Sequence, residues 1–139
     1  MASVLMSYIT STFQTKSDMR VAEEEWQKII QEMSSRFKSA GALRQTVSQV
    51  WNKEGVFMLG NMWEYKDEKA FIACQSLFRE AEKKLDERTS IVVKNFATRG
   101  IILHDVFFLK ITLATHKTVT KDNSNGYQLF HLFCVTAYI

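Results

Sequence analysis

The 139-residue chain contains no proline, only five glycines and two cysteines. Average usage would give about seven prolines in a chain of this length, so their absence excludes proline-rich and collagen-like proteins. The 46% apolar composition also excludes a disordered chain, and the length suits one domain with a single core. Cys74 and Cys134 provide no disulfide framework, which indicates a reducing compartment, so we expect a cytoplasmic protein.

Charge and motif content exclude several further classes of function. The net charge of +3 arises from 18 basic and 15 acidic residues that are interspersed, so we expect no nucleic-acid partner. The apolar segment at residues 2–9 is too short to span a membrane or to form a signal core, so no membrane partner is expected. The glycines are isolated and the three histidines lack ligand spacing, which predicts no phosphate loop and no metal site.

The composition changes near residue 105. All ten glutamates lie before residue 89, whereas residues 106–139 contain a single acidic residue, Asp122. This change divides the chain into a body at residues 1–105 and a C-terminal extension at residues 106–139. Within the extension, a turn signal at residues 122–126 separates two β-prone segments, so we interpret the extension as a β-hairpin that extends the sheet or crosses to a partner. A poorly ordered extension is the alternative.

The body shows the periodicities of an α+β domain. Two segments have apolar residues at helical spacing, one beginning at a cap on Ser17 or Asp18 and ending at Gly41, the other capped by Asp67. The second helical stripe runs through Phe71, and the acidic residue Glu82 lies off it. Four strands are predicted, at residues 3–10, 43–51, 56–65 and 91–106, with a hairpin turn at residues 52–55. The resulting order β-α-β-β-α-β is that of a ferredoxin-like fold, in which both helices cover the same face of the sheet.

The third predicted strand is apolar on both faces. One set of alternating side chains comprises Val56, Met58, Gly60 and Met62, and the other comprises Phe57, Leu59, Asn61, Trp63 and Tyr65. A sheet with one solvated face should instead alternate between apolar and polar residues. We therefore expect a second subunit to cover the face that the helices leave open, which predicts a homodimer. The C-terminal extension and a bound apolar ligand are the other candidates for that cover.

The segment at residues 61–71 carries a resemblance to a known family. A strand that ends in Trp63-Glu64, a short charged turn and a helix that starts near Ala70-Phe71 resemble the antibiotic biosynthesis monooxygenase-like family. The resemblance covers about residues 3–105. It implies a dimeric α+β barrel with an apolar cavity between the sheet and the helices or at the barrel interior. Some members of that family oxidise polycyclic aromatic phenols without a cofactor, and others bind and degrade haem.

The resemblance also implies candidate site residues. Reactive members use an Asn and a Trp in this part of the cavity, so Asn61 and Trp63 are assigned as catalytic residues, and they share a face because they lie two apart on a strand. Phe57, Leu59 and Tyr65 share that face and are assigned to the substrate pocket. The helical histidine of haem-degrading relatives is absent, since the corresponding residues are Ala73-Cys74-Gln75. We therefore expect no haem, no other cofactor and no metal.

Two functions remain open from the sequence. The first is a small cofactor-independent monooxygenase that acts on an aromatic or phenolic molecule through Asn61 and Trp63. The second is a non-catalytic dimeric barrel that binds an apolar ligand or a protein partner. In the second case Asn61 is a structural amide near a bulge at Gly60, and Trp63 belongs to the core or the dimer interface.

Overall fold

The computed structural model describes residues 5–106, 108, 113–121 and 127–135, the last two ranges as backbone strands. The chain forms two compact units, Met1–Leu103 and His104–Ile139. The elements of the first unit are β1 (Leu5–Phe13), α1 (Lys16–Ala40), β2 (Ala42–Gln49), β3 (Phe57–Tyr65), α2 (Glu68–Thr89) and β4 (Lys94–Ile101). Among the described residues, neither helix has an apolar stretch long enough to cross a bilayer.

The four strands of the first unit form one antiparallel sheet in the order β2-β3-β1-β4. This arrangement confirms the predicted ferredoxin-like α+β fold. In the register of β1 and β3, Ser7 lies opposite Trp63 and Ile9 lies opposite Asn61. The alternating side chains of both central strands therefore point to the same face in adjacent rows.

The first helix begins earlier than its predicted caps. Thr15 has extended backbone angles, and its side-chain oxygen accepts a 3.0 Å hydrogen bond from the backbone N–H of Asp18. The prediction of Ser17 or Asp18 as the cap was wrong, because both residues already lie in the first helical turn that Thr15 caps. Gly41 ends the helix as predicted, with a φ of 97° that a residue with a side chain rarely adopts.

The second helix begins as the sequence indicates. The Asp67 side chain accepts a 2.8 Å hydrogen bond from the backbone N–H of Ala70, which satisfies one free donor of the first turn. Cys74 is fully buried on this helix, and burial raises the pKa of its thiol, so the thiol is protonated at neutral pH. Arg36 and Arg88 bridge the two helices through ion pairs with Glu80 and Glu32.

The core lies between one face of the sheet and the two helices. Its main cluster consists of Ile29, Met33, Phe37, Trp63, Tyr65, Ala70, Cys74, Leu77 and Ala81. A smaller cluster of Phe13, Met19 and Ala22 lies at the opposite end of the sheet. The predicted fourth strand is shorter than expected, since β4 spans Lys94–Ile101 and is exposed along its whole length at the sheet edge.

Within the described residues no helix covers the opposite face of the sheet, and we call it the open face. Its side chains include Tyr8, which is 42% exposed, and Phe96, which is 69% exposed. A Cβ atom on Gly60 would lie 2.8 Å from the Tyr8 hydroxyl oxygen, so the missing side chain at Gly60 makes room for the Tyr8 ring. The open face therefore combines exposed aromatic rings with a region of bare backbone.

The second unit contains two antiparallel strands, β5 (Leu113–Lys121) and β6 (Tyr127–Val135). Leu113 lies opposite Val135, and Lys121 lies opposite Tyr127. The predicted turn at residues 122–126 falls outside the described residues, as do the first two residues of the predicted strand at residues 3–10.

Candidate functional site

A cavity of about 440 Å³ lies between the sheet and the two helices. The strands contribute alternate residues from their helix-facing side, among them Ser7 and Ile9 of β1 and Ala97 and Arg99 of β4. The helices contribute the other wall.

Four of the five site residues predicted from the sequence line this cavity. They are Leu59, Asn61, Trp63 and Tyr65, which succeed one another along the helix-facing side of β3. Phe57, the fifth, is not among the lining residues and packs against the small cluster of Phe13, Met19 and Ala22.

Aromatic rings form much of the cavity wall. The Trp63 ring lies 4.8 Å from that of Phe37 and 4.9 Å from that of Phe78, the latter in an edge-to-face arrangement. Trp26 of α1 also lines the cavity. The lining rings give the cavity wall flat, apolar surfaces.

One end of the cavity carries a cation. The guanidinium carbon of Arg99 lies 4.9 Å from the centroid of the Phe71 ring, and the Phe71 ring meets that of Tyr65 edge to face at 5.5 Å. Contact with the face of an aromatic ring is favourable for a guanidinium group. Arg99 is therefore held at the cavity wall, on the edge strand of the sheet.

One of the two polar side-chain atoms of Asn61 forms a hydrogen bond. The Nε2 atom of Gln45 donates a 3.1 Å hydrogen bond to Asn61 Oδ1, and no hydrogen bond from Asn61 Nδ2 is formed within the described part of the chain. Asn61 therefore presents an N–H donor for a ligand. The strand pairing is regular across Gly60, so the bulge expected there is absent, and the irregularity lies between Ala42 and Arg44.

Three buried donors at the cavity have no hydrogen-bond partner among the described residues: Trp26 Nε1, Trp63 Nε1 and the Tyr65 hydroxyl. Tyr65 is fully buried and Trp63 is 2% exposed. Burial raises the pKa of Tyr65 to about 12, against smaller opposing effects of the nearby Ser7 hydroxyl and Arg99. The phenol thus stays protonated at neutral pH. A buried donor without a partner costs about 1–3 kcal/mol, and a ligand with acceptor atoms can recover that cost.

Three carboxylates that the sequence pattern does not mark as site residues line the same cavity. They are Glu23 of α1 and Glu82 and Asp86 of α2, none of which forms an ion pair among the described residues. Glu82 is an exposed residue, and partial desolvation of its carboxyl together with the neighbouring Asp86 raises its pKa, which Arg79 partly opposes. One face of α2 carries Phe71, Gln75, Phe78 and Glu82 at helical spacing. Polar residues at that spacing, taken together with the apolar ones, identify this face from the sequence.

These acidic groups do not form a metal centre. No group of three or more His, Cys, Asp or Glu side chains is arranged to hold a metal ion within the described residues. The cavity therefore offers aromatic surface, N–H and O–H donors and carboxylate acceptors as its chemistry.

A four-stranded antiparallel sheet with two helices on one face, and a cavity between them, defines an α+β protein of ferredoxin-like fold. Residues 2–102 match the family described as Domain of unknown function (DUF6974), and the chain belongs to that family. No curated protein shows significant similarity to the chain.

Solved structures share the fold at low sequence identity. A dimeric ferredoxin-like protein from an uncultured marine organism is 24% identical, with a TM-score of 0.67 over 76% of this chain and 100% of the other. A monooxygenase from the gene ActVA-Orf6 of Streptomyces coelicolor, in complex with nanaomycin D, is 12% identical, with a TM-score of 0.58 over 76% and 92%. SnoaB, a cofactor-independent oxygenase from Streptomyces nogalater, is also 12% identical, with a TM-score of 0.50 over 75% and 98%. At these identities the similarity shows the fold alone.

Proposed function

We propose that the cavity binds an aromatic or phenolic small molecule and that the protein oxidises it with molecular oxygen without a cofactor. The observation that carries this proposal is the cavity of about 440 Å³ with Asn61 and Trp63 in its wall. The proposal is supported by two proteins of similar fold, one described as a monooxygenase and the other as a cofactor-independent oxygenase. Asn61 and Trp63 are the proposed catalytic residues, and Leu59 and Tyr65 are proposed to contact the substrate.

The proposed reaction needs no external reductant. Loss of the hydroxyl proton of a phenolic substrate leaves an anion whose charge spreads from the oxygen onto an activated ring carbon, which reacts as a carbanion. That carbon forms a C–O bond with molecular oxygen and, after protonation of the peroxide, gives a hydroperoxide. Loss of the proton still bound to that carbon then breaks the O–O bond, which leaves a carbonyl and releases water. The substrate supplies all of the electrons, so the protein only positions it and stabilises its anion.

In this reaction each wall group has a defined task. The free Nδ2 donor of Asn61 hydrogen-bonds the oxygen on which negative charge develops, and a placed donor of this kind contributes about 10²–10³-fold in rate. Trp63 provides an indole N–H that has no partner among the described residues. The apolar walls exclude water from the carbanion, which water would otherwise protonate.

Oxygen uptake with a panel of hydroquinones and anthrone-type phenols tests the proposal. We expect turnover by the natural chain, a loss of at least about ten-fold in Asn61→Ala and Trp63→Phe, and full activity in Thr46→Ala, a β2 residue on the open face. Absence of turnover, or turnover that both cavity variants leave unchanged, would refute the enzymatic function.

Ligand binding without catalysis is the second candidate. It is favoured by the three unpartnered donors, which acceptor atoms of a ligand can satisfy without any chemical step. Saturable quenching of tryptophan fluorescence by aromatic ligands that cause no oxygen uptake would establish this function instead.

The proposed assembly is a homodimer that forms an α+β barrel. It is supported by the exposed rings of Tyr8 and Phe96 on the open face, and a protein of similar fold is described as dimeric. We further propose that residues 1–105 form the barrel domain and that residues 106–139 are a separate C-terminal extension. A chain truncated after Val106 should then dimerise and melt as the full chain does, whereas a monomeric or unstable product would show that the extension is structural.

A further inference from the structure

The cavity wall contains three buried hydrogen-bond donors. Trp26, Trp63 and Tyr65 offer N–H and O–H donors without partners among the described residues. The amide oxygen of Asn61 is already occupied by Gln45, and that of Asn95 accepts a 2.7 Å hydrogen bond from the Ser11 hydroxyl. A ligand hydroxyl both donates and accepts, so its oxygen suits these donors while its proton needs an acceptor elsewhere.

Most acceptors of the cavity wall cannot keep that proton. Gln75 donates through Nε2 to the backbone oxygen of Phe71 and keeps its own side-chain oxygen, but an amide takes up no proton near neutral pH. The hydroxyl oxygens of the wall accept a hydrogen bond but do not keep the proton either, whereas the carboxylates of both helices, among the described lining residues, can take it up. Glu82 follows Phe78 by one helical turn on α2, and Phe78 contacts Trp63, so Glu82 is the closer of the two α2 carboxylates to this ring pair along the helix.

Two glutamates of the helices are paired with arginines, whereas Glu82, Glu23 and Asp86 form no ion pair within the described residues. Glu80 and Glu32 are engaged by Arg36 and Arg88, which hold the pKa of both carboxyls below the usual value. Glu82 has no such partner among the described residues. Its carboxylate is therefore available to a ligand, and it gains a proton more readily than the paired ones.

We propose that Glu82 accepts the hydrogen bond of the ligand's phenolic hydroxyl and acts as the general base that removes its proton. This inference rests on the proposed function, because it requires a phenolic ligand in the cavity. The Glu82 carboxylate forms a bond to the hydroxyl proton, and the O–H electron pair stays on the ligand oxygen and spreads into the ring. Molecular oxygen is the oxidant, and the carboxylic acid returns the proton to the peroxide oxygen once the C–O bond has formed.

The charged groups around Glu82 make the proposal testable by pH. On its own helix Asp86 disfavours the carboxylate and Arg79 favours it. Across the cavity lie Glu23 of α1, Arg99 of β4 and the protonated phenol of Tyr65. Removing the Asp86 charge should lower the pKa of Glu82, and removing the Arg79 charge should raise it.

Binding of 1-naphthol and its methyl ether to the full chain, followed by tryptophan fluorescence, tests the acceptor role without turnover. We expect naphthol to bind about ten-fold more tightly than the ether at pH 8, since only naphthol donates to a charged acceptor. This preference should fall as Glu82 is protonated. Glu82→Ala should abolish the preference and retain the affinity for the ether, whereas Glu87→Ala, an exposed carboxylate of the same helix outside the cavity lining, should keep both.

The pH midpoint of the naphthol preference, and of oxygen uptake, should move to lower pH in Asp86→Asn and to higher pH in Arg79→Gln. A preference that survives Glu82→Ala, or midpoints that neither variant moves, overturns the role of Glu82. If naphthol binds more tightly than its ether but no oxygen is consumed, Glu82 is a hydrogen-bond acceptor, and both the oxygenase function and the role of Glu82 as a general base are refuted. Failure of both compounds to bind refutes the ligand class and the role of Glu82 together.

Discussion

Gln45 Nε2 donates a 3.1 Å hydrogen bond to Asn61 Oδ1 and so joins β2 to β3 at the cavity wall. Because the carbonyl end of the Asn61 amide is held, its N–H₂ end is the part left for a ligand. The contact therefore fixes the orientation of the proposed catalytic amide, and Gln45 acts as a positioning residue.

The first prediction concerns this pair. In Gln45→Leu the Asn61 amide loses its anchor, so we expect kcat for oxygen uptake to fall about ten-fold, against about 10²-fold in Asn61→Ala. In the Asn61→Ala background, Gln45→Leu should add no further loss, because Gln45 acts through Asn61. Gln49→Ala, on the same side of β2, is the matched control and should retain activity. Additive losses in the double variant would contradict a positioning role.

The second prediction concerns the buried hydroxyl of Tyr65. Tyr65→Phe removes an oxygen that has no partner among the described residues, so we expect the free energy of unfolding to stay unchanged or to rise by about 1 kcal/mol. Affinity for a phenolic or quinone ligand should nevertheless fall, since a donor at the cavity is lost. Urea unfolding and fluorescence titration measure the two effects. Tyr8→Phe on the open face should leave ligand affinity unchanged, and a clear destabilisation by Tyr65→Phe would show that the hydroxyl is satisfied.

Sequence periodicity predicted which residues of β3 face the cavity. The two-residue spacing of β3 placed Asn61 and Trp63 on one face, and both line the cavity together with Leu59 and Tyr65. Gln45 could not be identified in this way, because its proximity to Asn61 depends on the register between β2 and β3. That register is shifted between Ala42 and Arg44, an irregularity with no local sequence signal.

Glu82 was not predicted as a cavity residue from the sequence, for a different physical reason. The helical stripe was counted from apolar residues, which mark the face buried in the core. A cavity wall also includes the polar residues at the edge of that face, and Gln75 and Glu82 share that face with Phe71 and Phe78.

The start of the first helix was also predicted wrongly. Thr15, Ser17 and Asp18 all suit a helix cap, and the choice among them depends on where the chain leaves β1.

The third prediction separates backbone strain from steric contact at two glycines. Gly41 and Gly55 both have positive φ angles, of 97° and 70°. A Cβ atom on Gly41 would lie 2.7 Å from Ala70 Cβ, whereas one on Gly55 would meet no atom of the described part of the chain within 4 Å. We expect Gly55→Ala to cost about 1 kcal/mol in unfolding free energy and Gly41→Ala to cost clearly more. Equal losses in urea unfolding would show that the contact at Ala70 relaxes freely.

The fourth prediction is a pH-dependent coupling between the helices. Arg36 forms two 2.7 Å hydrogen bonds to the Glu80 carboxylate, and these hold the pKa of Glu80 below its usual value. A lowered folded-state pKa gives stability that is present above the unfolded value, about 4.3, and lost as the pH falls through the folded value. A double-mutant cycle with Arg36→Gln and Glu80→Gln should therefore show coupling at pH 7 that fades at pH 3 and in 1 M salt. Coupling that is independent of pH would indicate packing rather than charge.

The fifth prediction tests the proposed homodimer through Phe96. This residue lies on the open face of edge strand β4, where its ring is 69% exposed, and a second subunit over that face would bury it. Phe96→Asp would place a charge in the proposed interface without a partner, which is strongly unfavourable in a desolvated site. We expect analytical ultracentrifugation at micromolar concentration to show a dimer for the natural chain and a monomer for Phe96→Asp. Ile72→Asp is the control, since Ile72 is 60% exposed on α2 and away from the open face, and it should remain dimeric. A natural chain that sediments as a monomer would show that the open face is not covered by a second copy.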